Sequence, residues 1–297
     1  MKELKFPLYV KWSVTNRCNL RCSHCFHDKY DEKEISINDV EKIVDKLHEW
    51  GVIEVLLTGG EPLVRKDLNN IINYIHSKNI LIGLATNGML LNENRAKNLP
   101  LDKLSFIQVS LDGHNSSIND NIRGKGVFES VIRNIIDLKK KNINLILAHT
   151  INKKNIVYFK EMINLAKSLK VDILRFEIFL PLGQGKLHNN NLFLSRKEIQ
   201  EFVKVVSNME VEGLKIEVPN FNSECGCGAG FYTCIINNNL SLSPCDLLPK
   251  LSTDIPVNIS DLKELWLKSS TFTNWRIKYK QNKLKGCLLI EELYRDS

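Results

Sequence analysis

Residues 52–60 read VIEVLLTGG, a nearly continuous apolar run that stops at a pair of glycines. A strand with one wet face alternates apolar and polar residues. A strand apolar throughout is buried on both faces, as in a parallel sheet covered by helices. Further strand-like runs lie along the chain, in LYVKWSVT (8–15), ILIGLAT (80–86), FIQVSLD (106–112), NLILAHT (144–150) and DILRFEIFL (172–180). Between these runs lie stretches of helical spacing near 36–51, 67–78, 92–98, 127–141 and 155–169. In the first, Ile37, Val40, Ile43, Val44 and Leu47 share a face, with Ser36 as N-cap and Gly51 as stop. Six strands separated by helices predict an α/β fold, a parallel sheet curved into a partial barrel with helices outside.

Five of the six predicted strands end in a polar motif: TNRC, TGGEP, TNG, SLDG and PLGQG follow in turn. In parallel α/β folds the carboxyl ends of the strands form the ligand site, so motifs in phase along the chain predict one. After SRKEIQEF (195–202), whose Ser195 and Glu198 form a capping-box start, the pattern changes. Residues 223–249, SECGCGAGFYTCIINNNLSLSPCDLLP, are β-like and rich in cysteine, with NNN as a turn, and helical stretches follow near 260–281. The chain divides on this reading into 1–190, a catalytic core, 191–220, a bridging helix and strand, and 221–297, a small cysteine-bearing domain.

With 297 residues, 43% of them hydrophobic, the chain can bury a sizeable core. No apolar stretch is long enough to span a bilayer, and MKELKFPLYVKW lacks the apolar core of a signal peptide, so a cytoplasmic protein is expected. In that reducing compartment eight cysteines point to metal or redox chemistry rather than disulfides. The net charge of +7 is met by solvated helix faces such as Lys139, Lys140 and Lys141. The basic stretch WRIKYKQNKLK (275–285), with Trp275 and Tyr279, likewise reads as an amphipathic helix rather than a nucleic-acid surface.

Cys18, Cys22 and Cys25 crowd one loop, TNRCNLRCSHCFH, and the next cysteine is Cys225. Thiolates select zinc, copper(I) or iron–sulfur clusters. A closed zinc site wants four protein ligands, which His24 or His27 could complete.

The spacing C-x3-C-x2-C, with Phe26 next, resembles the signature of radical S-adenosylmethionine (radical SAM) enzymes, and the likeness extends over 10–190. The resemblance implies a partial (β/α)6 TIM-type barrel. It also implies that Cys18, Cys22 and Cys25 bind three irons of a [4Fe–4S] cluster whose fourth iron is chelated by SAM. A fourth cysteine would block that position. GGEP, that is Gly59, Gly60, Glu61 and Pro62, matches the element lying against the methionyl amino group. Asn87 of TNG and Ser110 of SLDG match later strand ends that contact SAM, and Arg123 matches the arginine that pairs with its carboxylate. Asp112 reads as a turn-forming residue. An electron donor such as flavodoxin or ferredoxin is implied as a partner.

CGAG (227–230), SPC (243–245) and the distant Cys287 resemble the auxiliary-cluster region called SPASM, or its shorter twitch form. Ile290 stands where a full SPASM region carries a further cysteine, so the resemblance implies a small α+β domain with one auxiliary [4Fe–4S] cluster. Its ligands would be Cys227, Cys245 and Cys287, with Cys234 as fourth. Cys225 is then left over, as a plain thiol, an alternative ligand, or a hydrogen-atom donor of the kind peptide epimerases of this family use. The layout implies an enzyme that modifies a ribosomally made peptide by crosslinking, thioether formation or epimerisation. About ten residues precede the first strand, so a leader peptide would bind the barrel directly or arrive with a separate protein. The alternatives are a radical SAM enzyme acting on a small molecule in cofactor or antibiotic biosynthesis, and a non-enzymatic zinc or iron–sulfur protein.

Overall fold

The computed structural model of the protein describes residues 4–27, 30, 33–219, 227–245, 251–281 and 287. Along the chain lie β1 (Tyr9–Thr15), α1 (Ile37–Glu49), β2 (Glu54–Gly59), α2 (Leu68–Ser77), β3 (Leu81–Thr86), α3 (Glu93–Asn98) and β4 (Phe106–Ser110). Then come α4 (Ser116–Arg123), α5 (Val127–Lys139), β5 (Leu145–Ile151), α6 (Phe159–Ser168), β6 (Ile173–Ile178), α7 (Asn189–Leu192), α8 (Arg196–Val206) and β7 (Lys215–Glu217). The last elements are β8 (Thr233–Ile236), β9 (Leu242–Ser243), α9 (Leu262–Lys268) and α10 (Ser270–Gln281). All six predicted strands and the alternation of helices are present, so the fold is α/β with parallel strands.

The chain forms two compact units, Met1–Arg17 with Lys29–Leu84 and Asn220–Leu293, and Cys18–Asp28 with Ala85–Pro219 and Tyr294–Ser297. In the first, β1 lies between β2 and β8 and is parallel to both, with Val10 opposite Val55 and Cys234, and Trp12 opposite Leu57 and Ile236. β9 closes an antiparallel hairpin on β8 across the predicted Asn turn, where the Leu240 N–H reaches the Asn237 carbonyl. The register of β1 slips between Ser13 and Thr15, an irregularity that bends the strand just before the cysteine loop. Helix α1 buries Val40, Ile43, Val44 and Leu47, as its spacing predicts, and the Ser36 hydroxyl accepts the Asp39 N–H at its start. Truncating Ile43 or Leu47 to alanine would cost about 2–5 kcal/mol.

In the second unit β4, β5, β6 and β7 are parallel neighbours in that order. One face is apolar and closed: His149 stands edge-on to Phe176, which meets Phe202 of α8, which in turn meets Phe159 of α6. The other face carries polar side chains. Arg175 donates from Nε to Glu217 at 2.8 Å and from its guanidinium to Gln108 Oε1 at 2.7 Å, tying β6 to β7 and β4. A parallel sheet is normally covered on both faces, so a half-exposed polar face on one is a place for a ligand. The predicted capping box is present on α8, Ser195 and Glu198 exchanging hydrogen bonds.

Candidate active site

The glycine turn belongs to the first unit. Gly59 has φ +136°, and a Cβ on Gly60 would lie 2.4 Å from the Arg17 carbonyl oxygen. The Gly60 N–H bonds the Thr15 carbonyl at 2.8 Å and the Glu61 N–H the Arg17 carbonyl at 2.8 Å. Here the glycines let the turn close onto the backbone leading into the cysteine loop, a close approach that only a residue without Cβ permits. Glu61 is fully buried and caps a 3₁₀ turn at Pro62–Val64, its Oε1 accepting the Leu63 N–H at 3.0 Å, with Pro62 buried beneath.

The cysteine loop belongs to the second unit, where three elements hold it. From α4, the Ile122 carbonyl accepts the Ser23 N–H at 2.9 Å, and the Arg123 carbonyl lies 3.9 Å from Cys22 Sγ. From the end of β3, Asn87 Nδ2 reaches Asn19 Oδ1 at 2.8 Å and stands 3.8 Å from Cys18 Sγ. From PLGQG after β6, the Gly185 N–H bonds the Cys25 carbonyl at 3.0 Å and the Gln184 N–H the His27 carbonyl at 3.2 Å. A Cβ on Gly183, at φ +49°, would meet the Phe26 carbonyl.

Behind the loop lies Asp112. Its Oδ2 faces His24 Nε2 at 3.0 Å and Arg123 Nε at 2.6 Å, while its Oδ1 accepts the Thr150 N–H at 2.7 Å. Burial opposes ionisation of this carboxyl, but the Arg123 guanidinium and then His24 hold it well below the usual carboxylate range. Ser110 ends β4, half-buried, opposite Ala148 of β5. The sequence reading placed Arg123 near SAM but missed its carboxylate partner, because a single Asp in SLDG is ordinarily a turn residue. It missed His24 too, which it weighed only as a zinc ligand.

The donor set suits a cluster. The three thiols are half-buried, and the Leu20 N–H points at Cys18 Sγ from 3.4 Å, as amides do toward cluster thiolates. Burial pushes the Cys22 thiol up to about 12, against the pull of Arg123, so ionisation near neutral pH needs a strong cation such as cluster iron. Among the described residues no three His, Cys, Asp or Glu side chains converge on one metal ion. A cluster, taking one thiolate per iron, needs no such convergence, whereas a Cys3His zinc site does. His24, already facing Asp112, is a poor fourth zinc ligand, and its Nδ1 is buried without a hydrogen-bond partner.

The Radical SAM superfamily profile matches residues 12–166. The chain belongs to the radical SAM superfamily. It is 32% identical over 242 residues to the Fe-coproporphyrin III synthase of Methanosarcina barkeri, across 79% of this chain and 60% of that one. It is 28% identical over 254 residues to the antilisterial bacteriocin subtilosin biosynthesis protein AlbA of Bacillus subtilis, across 84% and 57%. The chain thus spans about three-fifths of the length of these two relatives. Streptococcus suis SuiB bound to its precursor peptide SuiA superposes with a TM-score of 0.78 at 18% identity, across 92% of this chain and 67% of that one. The partial barrel expected of a radical SAM enzyme is therefore the fold present, and a [4Fe–4S] cluster with SAM is its cofactor set. That pair, when bound, supplies an organic radical that abstracts hydrogen. No helix among the described residues is long and apolar enough to cross a membrane.

The later cysteines lie in the first unit. Cys227 and Cys245 pack on the same pair, Ala229 and Trp275, and the Cys227 N–H bonds Tyr279 Oη at 2.6 Å. Cys234 is buried on β8 opposite Val10, outside that pair. Burial pushes its thiol well up, partly offset by Arg276. Cys287 is half-buried. Cys225 lies outside the described residues.

Proposed function

We propose that Cys18, Cys22 and Cys25 hold the SAM-binding cluster, that Gly59, Gly60, Glu61, Pro62, Asn87, Ser110 and Arg123 each contact SAM, and that the substrate is a ribosomally made peptide. The observation that carries the first part is the cysteine loop itself. Three half-buried thiols are fixed by backbone bonds from α4 and PLGQG, and two nitrogen donors stand at Cys18. The polar face of β4–β7 supports the peptide substrate. Arg175 and Lys215 are balanced there by Glu177 and Glu217, with Gln108 alongside, a set that matches amides better than a polyanion. An auxiliary [4Fe–4S] cluster on Cys227, Cys245 and Cys287, with Cys234 or Cys225 as fourth ligand, completes the reading, as do a separate leader-binding protein and a flavodoxin or ferredoxin donor. Residues 1–190, 191–220 and 221–297 would be the core, bridge and auxiliary domain.

A second reading is favoured by the Methanosarcina barkeri relative, named for an iron-coproporphyrin, and by the AdoMet-dependent heme synthase of Oleidesulfovibrio alaskensis at 26% identity. A porphyrin polycarboxylate would have to bring its charge to a face without surplus cation.

Anaerobic iron and sulfide quantification after reconstitution tests the first part, with deoxyadenosine measured after SAM and dithionite. About eight irons are expected in the wild type and about four when Cys18, Cys22 and Cys25 are alanine, with deoxyadenosine only from the former. Adding iron-coproporphyrin III in one arm and a peptide encoded beside the gene in another decides the substrate. Turnover of the porphyrin would replace the peptide reading.

A further inference from the structure

Asp112 has more partners than a turn residue needs. It is fully buried and receives groups from four stretches of chain. His24 comes from the cysteine loop at 3.0 Å, Arg123 from the end of α4 at 2.6 Å, and the Thr150 N–H from β5 at 2.7 Å. Its own N–H bonds Asn119 Oδ1 at 2.9 Å, and its carbonyl accepts Asn155 Nδ2 at 3.0 Å. His24 sits between two of the three clustered cysteines, and Arg123 is the residue assigned to the SAM carboxylate. One oxygen therefore faces a side chain from the ligand loop and one from the cofactor pocket, while the other oxygen is fixed to β5.

The two partners also meet through the backbone. The last turn of α4, which carries Arg123, receives the Ser23 N–H on the Ile122 carbonyl. Side chain and main chain thus close a ring from Asp112 to Arg123, through α4 to Ser23 and His24, and back to Asp112. The β5 amide sets that ring against the sheet. A buried carboxylate with two basic side chains close against one oxygen and a backbone donor on the other is held between them, and moving it moves both partners.

We propose that Asp112 is the positioning residue of the SAM site, holding the cluster loop through His24 and the SAM-binding guanidinium through Arg123 in one fixed arrangement. This rests on the assignment of Cys18, Cys22 and Cys25 to the SAM-binding cluster. It gives Asp112 two separable outputs, protection of the cluster and affinity for SAM. A residue that served only to stabilise the fold would not divide its effects in this way.

The test uses the reconstituted full chain, reduced with dithionite, and follows the electron paramagnetic resonance signal that SAM shifts. Titrating SAM gives its dissociation constant, and decay of the same signal under an iron chelator gives the rate of cluster loss. In Asp112→Asn, SAM affinity falls at least tenfold and chelator loss quickens at least fivefold. His24→Gln, a milder change at a loop side chain, quickens chelator loss while leaving SAM affinity within about twofold. Arg123→Lys weakens SAM while leaving chelator loss within about twofold. Wild-type values for both readouts in Asp112→Asn would overturn the proposal. So would equal damage to both readouts in His24→Gln and in Arg123→Lys, an outcome that decides the matter even if Asp112→Asn does not fold. A wild type with no SAM-shifted signal would instead sink the cluster assignment on which the proposal stands.

Discussion

Gly60 admits no side chain, since a methyl group there would press on the Arg17 carbonyl from 2.4 Å. Gly60→Ala should cost about 1–3 kcal/mol and abolish SAM cleavage, read by thermal melting and by deoxyadenosine release. The opposite holds at Leu240, whose φ of +70° is left-handed without glycine's freedom. Leu240→Gly should raise the urea midpoint, by about 1 kcal/mol in stability, because the strain disappears. His149 links stability to pH. It is buried, and burial pushes its pKa below the ordinary value, while its Nδ1 faces the Leu111 carbonyl at 3.0 Å. The folded state therefore resists the proton that the unfolded state accepts near pH 6.5, so this part of the stability is present above about 6.5 and is lost as pH falls below it. His149→Gln keeps a donor for Leu111 and does not titrate. Its urea midpoint should fall less than the wild type's between pH 7.5 and 5.5.

Helix α4 is where sequence reading stopped short. Apolar-rich runs marked β1 to β6, and apolar spacing marked α1, α2 and α5, because buried faces leave a periodic trace. Ser116–Arg123 carries only Ile118 and Ile122 as apolar residues, so no stripe announces it, although Asn115 caps its start and Gly124 at φ +114° ends it. The three clustered cysteines, GGEP and Arg123 stood out because their spacing resembles that of a known chemistry. Asp112 and His24 were not, since their meaning lies in a contact between residues 88 positions apart in sequence. Asn115→Ala should destabilise the helix by about 1 kcal/mol. Since α4 supplies the Ile122 carbonyl to Ser23, chelator removal of iron should also quicken, which a time course of chelated iron would register.

On the scale of the whole chain, the cysteine-rich segment is part of the sheet. β8 lies against β1 from Tyr9 to Trp12, the Trp266 indole N–H bonds the Leu4 carbonyl at 3.2 Å, and Phe6 meets the Trp266 ring at 6.1 Å. A chain ending at residue 219 would bare one edge of β1 and leave Phe6 with Trp50 but without Trp266. Expressed alone, residues 1–219 should be insoluble or melt without a cooperative transition. A sharp melt near the wild-type temperature would show instead that β1 needs no second neighbour.

Inheritance feels the same constraint. A strand seated beside β1 cannot be traded as a loose cassette when genes recombine. Any foreign tail joined after residue 219 must bring its own strand to lie parallel to Val10 and Trp12, so the later cysteines and the strand that leads into the first three descend together.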